Sequence, residues 1–154
     1  MKYPLAGLLA LTACASATPV VHGTPRFQTA AYAGIPGRIT VHVRDIPEPR
    51  GVMFVELYDA STYFHYENVL DEETPRVTGK ELTVTLMHVP PGRYILVAAH
   101  DANENKVLDR GLFGKPTEAY GFSRDARGLF GPPSFEDGAF DFDGTTAELS
   151  VRVR

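Results

Sequence analysis

Residues 38–44 read Arg-Ile-Thr-Val-His-Val-Arg, placing Ile39, Val41 and Val43 on one face and polar side chains on the other. A period of two is the mark of a half-buried strand. Pro47 and Pro49 then break the run. A second strand is predicted from Gly51 to Tyr58, with Met53, Val55 and Leu57 on one face, while Phe54 on the opposite face implies partial cover there too. Leu82 to Leu86 alternates again, and Pro90-Pro91-Gly92 supplies a tight turn. Tyr94 to Ala99 is apolar on both faces, as a central strand is. Ala139 to Phe142 forms one more short strand, and near the C-terminus Leu149, Val151 and Val153 alternate with Ser150, Arg152 and Arg154. No segment carries an apolar helical stripe over three turns, and Ser123 to Arg127 caps a single turn at most. Short strands punctuated by Gly and Pro predict an all-β fold, an antiparallel two-sheet β-sandwich of Ig-like or prealbumin-like character.

Between His100 and Gly138 the alternation stops, and the chain becomes rich in Gly, Phe, Pro and Asp. Structureless loops longer than about 15 residues are uncommon in compact domains unless they serve a function. Leu112, Phe113, Tyr120, Phe122, Leu129, Phe130 and Phe135 require burial, which predicts a long but ordered loop. Within it, Gly111-Leu-Phe-Gly-Lys-Pro is echoed by Gly128-Leu-Phe-Gly-Pro-Pro. Two copies are too few for a solenoid; they predict paired turns whose Phe residues plug one end of the sandwich.

The first residues change the picture of where the domain works. Lys2 and the apolar stretch Pro4 to Ala13 predict a signal peptide over residues 1–17. The apolar stretch is about half the ~20 residues that a bilayer-spanning helix needs. Leu11-Thr12-Ala13-Cys14 resembles the bacterial lipobox, in which the cysteine is acylated and becomes the new N-terminus. The alternative is cleavage after Ala17, at the small-x-small run Ala15-Ser16-Ala17, releasing a soluble protein. Cys14 is the only cysteine, so no internal disulfide is available. One acyl chain anchors weakly and several anchor firmly; the lipobox resemblance implies several. Residues 18–36, rich in Ala, Pro, Thr and Gly, predict a tether, and residues 37–154 the sandwich domain. The expected location is the periplasm or, as an anchored lipoprotein, the outer membrane of a Gram-negative-type bacterium. A length of 154 residues suits one domain, and a net charge of -4 with scattered basic residues argues against a nucleic-acid surface.

The sharpest chemical pattern is Asp101-Ala-Asn-Glu-Asn-Lys-Val-Leu-Asp109. Calcium loops donate side-chain oxygens from positions one, three and five and a carbonyl from seven. Here those are Asp101, Asn103, Asn105 and Val107, with Asp109 in the ninth position. Lys106 replaces the turn glycine and Leu112 the closing glutamate, and two carboxylates predict low affinity. The competing reading is an Asx-rich turn held by its own side-chain-to-backbone bonds. Glu136, Asp137, Asp141 and Asp143 are further acids that folding can bring to such a site.

The histidines separate by position: His22 in the tether, His42 on a polar strand face, His65 in the aromatic run Tyr63-Phe64-His65-Tyr66, His88 at a core edge, and His100 at a strand end beside Asp101. No pair has zinc or copper spacing. His100 and Asp101 make a triad on paper with Ser123 or Ser134, but no Gly-x-Ser-x-Gly elbow frames either serine.

Pro90-Pro91-Gly92-Arg93-Tyr94, then His100-Asp101-x-Asn103-x-Asn105-x-x-Leu108-Asp109, then Gly121-Phe122-Ser123-x-x-Ala126-x-Gly128-x-Phe130-Gly131-Pro132-Pro133-Ser134-Phe135-x-Asp137-x-x-Phe140 together resemble an exported bacterial family catalogued as a domain of unknown function, DUF2141. The resemblance runs from Arg38 to Arg154; it implies a fold and a compartment but no activity. In most members position 106 is glycine. The Pro-Pro-Gly-x-Tyr turn also resembles prealbumin-like and carboxypeptidase-regulatory-like sandwiches. Hydroxyisourate hydrolases of the transthyretin-like branch end in Tyr-Arg-Gly-Ser, whereas this chain ends Ser150-Val-Arg-Val-Arg, so that activity is not supported.

The resulting expectation is a non-catalytic envelope module, binding or structural, with an unidentified envelope ligand or protein as partner and a membrane contact only through acylated Cys14. The alternative is a small envelope hydrolase or ligand-processing enzyme centred on His100 and Asp101. Cells fed labelled palmitate are expected to label the wild-type chain and not Cys14→Ala; equal labelling of both, or none of either, rules out acylation at Cys14.

Overall fold

The computed structural model describes residues 25–109, 111 and 116–154. Its strands are β1 (Arg38–Arg44), β2 (Val52–Tyr58), β3 (Asp71–Glu73), β4 (Leu82–Met87), β5 (Gly92–Asp101), β6 (Tyr120–Phe122), β7 (Phe140–Phe142) and β8 (Thr146–Arg152), with one helical turn, α1 (Phe135–Gly138). They form two sheets, one ordered β4-β1-β8 and the other β3-β2-β5-β6, with β7 paired to the first residues of β5. The expected all-β two-sheet sandwich is what forms. Pairing is antiparallel except between β1 and β8, which run parallel with Val41 opposite Leu149 and Val43 opposite Val151.

The alternating faces meet where the sequence pattern points them. Ile39, Val41 and Val43 from β1 pack against Met53, Val55 and Leu57 from β2 and Tyr94, Leu96 and Ala98 from β5, with Leu86, Val151 and Val153 completing the core. Burying each aliphatic side chain of this size contributes about 1.5–3 kcal/mol. At one edge the sheets are laced together. The Arg154 N–H donates to the Tyr120 carbonyl at 3.2 Å and the Tyr120 N–H to the Arg154 carbonyl at 3.3 Å. The chains pass so closely that a Cβ at Gly121 would collide with the Arg152 carbonyl.

Two parts of the architecture depart from expectation. β3 is the acidic run Asp71-Glu72-Glu73, which has no strand-like composition; it pairs with Val55 to Leu57 at the sheet edge, where charge discourages further pairing. The domain also begins earlier than residue 37. The 3-10 turns Arg26–Gln28 and Ala30–Tyr32 fold back onto it, and Phe27 is buried in the core. Its ring meets Tyr94 edge-on at 6.1 Å and Tyr32 at 5.0 Å, and its N–H donates to Leu70 O at 2.8 Å. From Arg26 onward the expected tether is therefore part of the fold; two aromatic residues, Phe27 and Tyr32, spaced among small ones left no periodicity to read. The signal peptide with Cys14, and residues 18–24 with His22, lie outside the described residues.

Asp71 is buried beneath this N-terminal segment, where its Oδ1 accepts from Gln28 Nε2 and from the Glu72 N–H, both at 3.0 Å. Burial pushes its carboxyl up from 3.8 to about 6, with neighbouring Glu73 adding to the rise while those hydrogen bonds and His88 oppose it. The folded protein thus retains a proton that the unfolded chain releases above pH 3.8. The associated stability is fully present below that value and is lost as the pH climbs toward about 6. Asp71→Asn keeps the accepting oxygen and removes the titration. Thermal melting from about pH 4 to pH 7 is expected to show a decline in wild type that the variant lacks; parallel declines would refute this role for Asp71.

Candidate functional site

β5 ends at Asp101, a residue only 2% exposed that opens the turn predicted as a calcium-type loop. Asp101 Oδ1 accepts from the Asn105 N–H at 3.1 Å, and Oδ2 from the Lys106 N–H at 2.8 Å. Asn103 Oδ1 accepts from the Asn105 N–H at 3.0 Å and Asn105 Oδ1 from the Val107 N–H at 2.9 Å, a pair of overlapping Asx turns. The amide nitrogens of Asn103 and Asn105 donate to the two oxygens of Asp109 at 2.7 and 3.1 Å. Asp101, Asn103, Asn105 and Asp109 are thereby gathered within one turn.

The position that departs from the calcium-loop pattern keeps the pattern's backbone. Lys106 has a φ of 60°, and Glu104 a φ of 58°, both left-handed. For a residue with a Cβ this conformation costs roughly 1–2 kcal/mol. Glu118 is a participant that spacing did not reveal. Its carboxylate accepts from the Ala102 N–H at 3.1 Å and the Asp109 N–H at 3.0 Å, clamping both ends of the turn. It lies nine residues beyond Asp109, outside any loop consensus, so a lone acid in a Gly- and Phe-rich stretch was its only signal.

The donor set is all oxygen, which suits a hard cation such as calcium. Among the described residues no three His, Cys, Asp or Glu side chains are grouped closely enough to hold a metal by themselves. A cation here would need the Asn103 and Asn105 side-chain oxygens and the Val107 carbonyl, with both amides turned away from their bonds to Asp109. As it stands, those amides complete an Asx-rich turn. The downstream acids are elsewhere. Glu136 and Asp141 each pair with Arg93 at 2.9 Å, at the opposite end of β5, Asp137 caps α1, and Asp143 bonds Thr145.

The residues of the paper triad are committed to backbone. Buried His100 places Nε2 2.8 Å from the Arg50 carbonyl. His100 and Asp101 are neighbours on a strand and point to opposite faces. Ser123 Oγ donates to the Gly138 carbonyl at 2.6 Å and accepts from the Leu96 N–H at 2.9 Å. Ser134 is the N-cap of α1 in a capping box with Asp137. Of the other histidines, His42 meets Thr83 Oγ1 at 3.0 Å, His88 meets the Ile35 carbonyl at 3.1 Å, and His65 is exposed 3.7 Å from Glu67.

From residue 116 onward the Gly- and Phe-rich stretch is ordered, but it covers a face rather than plugging an end. It contains β6, a 3-10 turn at Ser123–Asp125 and α1. Phe122 lies with Tyr58, Tyr63, Val69, Ile95 and Val97 in a second apolar cluster, with Phe135, Tyr120 and Ala126 packed against it. Tyr63 Oη donates to the Pro133 carbonyl at 2.9 Å, and its ring meets Phe122 edge-on at 6.4 Å. Arg152 clamps the cover through Asp125 at 2.7 Å, and that hydrogen bonding holds the Asp125 carboxyl below its usual range. Leu129 and Phe130 overturn the expectation of burial, being 94% and 103% exposed. They sit at the tip of a turn too tight to fold them inward, since a Cβ at Gly128 would collide with the carbonyls of Gly131 and Pro132. Leu112 and Phe113 of the other echo lie outside the described residues.

Lys106→Gly is expected to raise stability by about 1 kcal/mol by relieving the left-handed lysine. Denaturant melting would measure it; a loss of stability would mean that position 106 does not adopt this backbone in solution.

Among the described residues no helix is long and apolar enough to cross a membrane. No curated protein matches the chain. Among solved structures, a DUF4876 family protein from Bacteroides thetaiotaomicron is similar at 17% identity over 75% of this chain, with a TM-score of 0.31; this chain spans 23% of that protein's length. The family model described as an uncharacterized protein conserved in bacteria (DUF2141) matches residues 41–150. With most of the sandwich inside that match, the chain belongs to the DUF2141 family.

Proposed function

We propose that this DUF2141 protein is a non-catalytic module of the cell envelope whose turn after β5 is a weak calcium-type loop. The supporting observation is the gathering of Asp101, Asn103, Asn105 and Asp109 around a left-handed residue 106. The leader and Cys14 supply the envelope placement, by export and acylation. In the absence of calcium the two asparagine amides neutralise Asp109. Calcium replaces them by drawing the same amides round to present oxygen, and the Val107 carbonyl joins the set. With two ligand carboxylates, the dissociation constant belongs with those of extracellular modules, on the order of 10⁻⁴–10⁻³ M. Binding then stiffens the end of β5 that leads into the cover.

The test is thermal melting of the chain in calcium against chelator. At roughly 100 times the dissociation constant, a ligand that binds only the folded state adds about 2.7 kcal/mol. Wild type is expected to gain this stability and Asp109→Ala to gain none. A melting curve unmoved by calcium raised to about 100 mM, roughly 100 times the upper dissociation constant, or one moved equally in Asp109→Ala, removes the calcium loop from the proposal.

A further inference from the structure

The cover over β5 ends in an apolar point that nothing in the domain needs. Leu129 is 94% exposed and Phe130 103%, and Phe64, 60% exposed, stacks within 4.4 Å of the Tyr63 ring that bonds the same turn. Three of the domain's large exposed hydrophobics therefore belong to one corner. The turn is held out from below: Gly128 shapes it, Pro133 is pinned by Tyr63, and Phe122 and Phe135 are packed in the cluster beneath. Leaving a Leu and a Phe in water opposes the hydrophobic effect twice over, and a fixed tip presents them without loss of order on binding.

We propose that the Leu129–Phe130 turn is a membrane-contact tip that inserts into a lipid surface. Size argues against a protein partner. An aromatic side chain buries about 150–250 Å², so even with Phe64 the patch stays below the ~800 Å² each partner gives to a stable protein interface. A bilayer demands no such area and no complementary shape; a few apolar side chains at headgroup depth suffice. Charge is compatible. Arg127 stands beside the turn and suits lipid phosphates, while Asp125 and Glu136, which flank the turn in sequence, are paired with Arg152 and Arg93.

Reach agrees as well. The N-terminal segment joins the domain through Phe27 and Leu70 at Leu57, while the turn is held through Tyr63 and stands beside Tyr120 to Phe122, the strand paired with Val97 to Ala99. The stretch from Cys14 to Phe27 reaches at most about 45 Å, close enough for the tip to touch a bilayer in which Cys14 is embedded. The proposal rests on the envelope reading for the presence of a membrane and is independent of calcium.

The chain contains no tryptophan, so Phe130→Trp is a clean reporter. In the chain from Thr18 onward, which carries neither the apolar leader nor an acyl group, vesicles of phosphatidylethanolamine and phosphatidylglycerol are expected to shift its emission to the blue, and acyl-chain bromines to quench it. A Met87→Trp reporter, on the other sheet, is expected to stay unquenched. Leu129→Ser with Phe130→Ser is expected to weaken vesicle partitioning by on the order of a hundredfold. An unshifted, unquenched Trp at 130 overturns the proposal. So does a blue shift that develops without vesicles and grows with protein concentration, which would assign the tip to a second copy of the chain. Failure here with intact calcium stabilisation leaves the module reading in place, and the reverse result separates the two the other way.

Discussion

A strand buried on both of its faces imposes a demand that a two-layer sandwich cannot meet alone. β5 is such a strand: Tyr94, Leu96 and Ala98 fill the space between the sheets, while Ile95 and Val97 face outward and are equally buried. The neighbouring Tyr58 of β2 adds to the outward load. A third layer has to cover these side chains, each worth about 1.5–3 kcal/mol when removed from water. The segment from β6 to α1 is that layer, and its length and aromatic content follow from what lies underneath it.

The same reasoning separates what could be read in the sequence from what could not. β1, β2, β4, β5 and β8 show either alternation or a two-faced apolar run, so a period-two reading locates them. β3 does not, because its place at the sheet edge depends on backbone pairing and its side chains answer to solvent. Phe27 packs from a single 3-10 turn too short to carry a pattern, so only the contact with Tyr94 identifies it as core. The turn after β5 was legible as a cluster of oxygen-bearing side chains, but not as a closed one. Lys106 hides the left-handed position from a search for glycine, and Glu118 reaches the turn only because the chain returns toward it at Thr117, whose N–H donates to the Asp109 carbonyl at 2.8 Å. Leu129 and Phe130 misled because hydrophobic residues usually mean burial, and whether a tight turn can deliver them inward is a geometric question.

The surroundings of β5 also differ in chemistry. Beyond Asp101, which pairs with Val52, the chain gathers carboxylates and amides into a polar turn; over the outward face of Ile95 and Val97 it lays aromatics, in a cover that ends in an exposed apolar turn. The proposed membrane contact uses the second of these surfaces and makes no demand on the first.

Ser123 shows how closely the cover and the strand depend on each other. β7 pairs with Gly92 to Tyr94 and β6 with Val97 to Ala99, so the ladder of β5 is broken between them. A buried N–H without a partner there would cost about 1–3 kcal/mol. Ser123, itself fully buried, accepts from the Leu96 N–H and donates its own O–H to the Gly138 carbonyl. One hydroxyl thus repairs the ladder and ties together the two ends of the cover. Its commitment to two backbone groups makes the serine drawn with His100 in the triad on paper a structural pin. An alanine there would leave the Leu96 donor and the Gly138 acceptor facing each other across an apolar gap, and the layer that holds out the Leu129–Phe130 turn would lose the bond that registers it on the sheet.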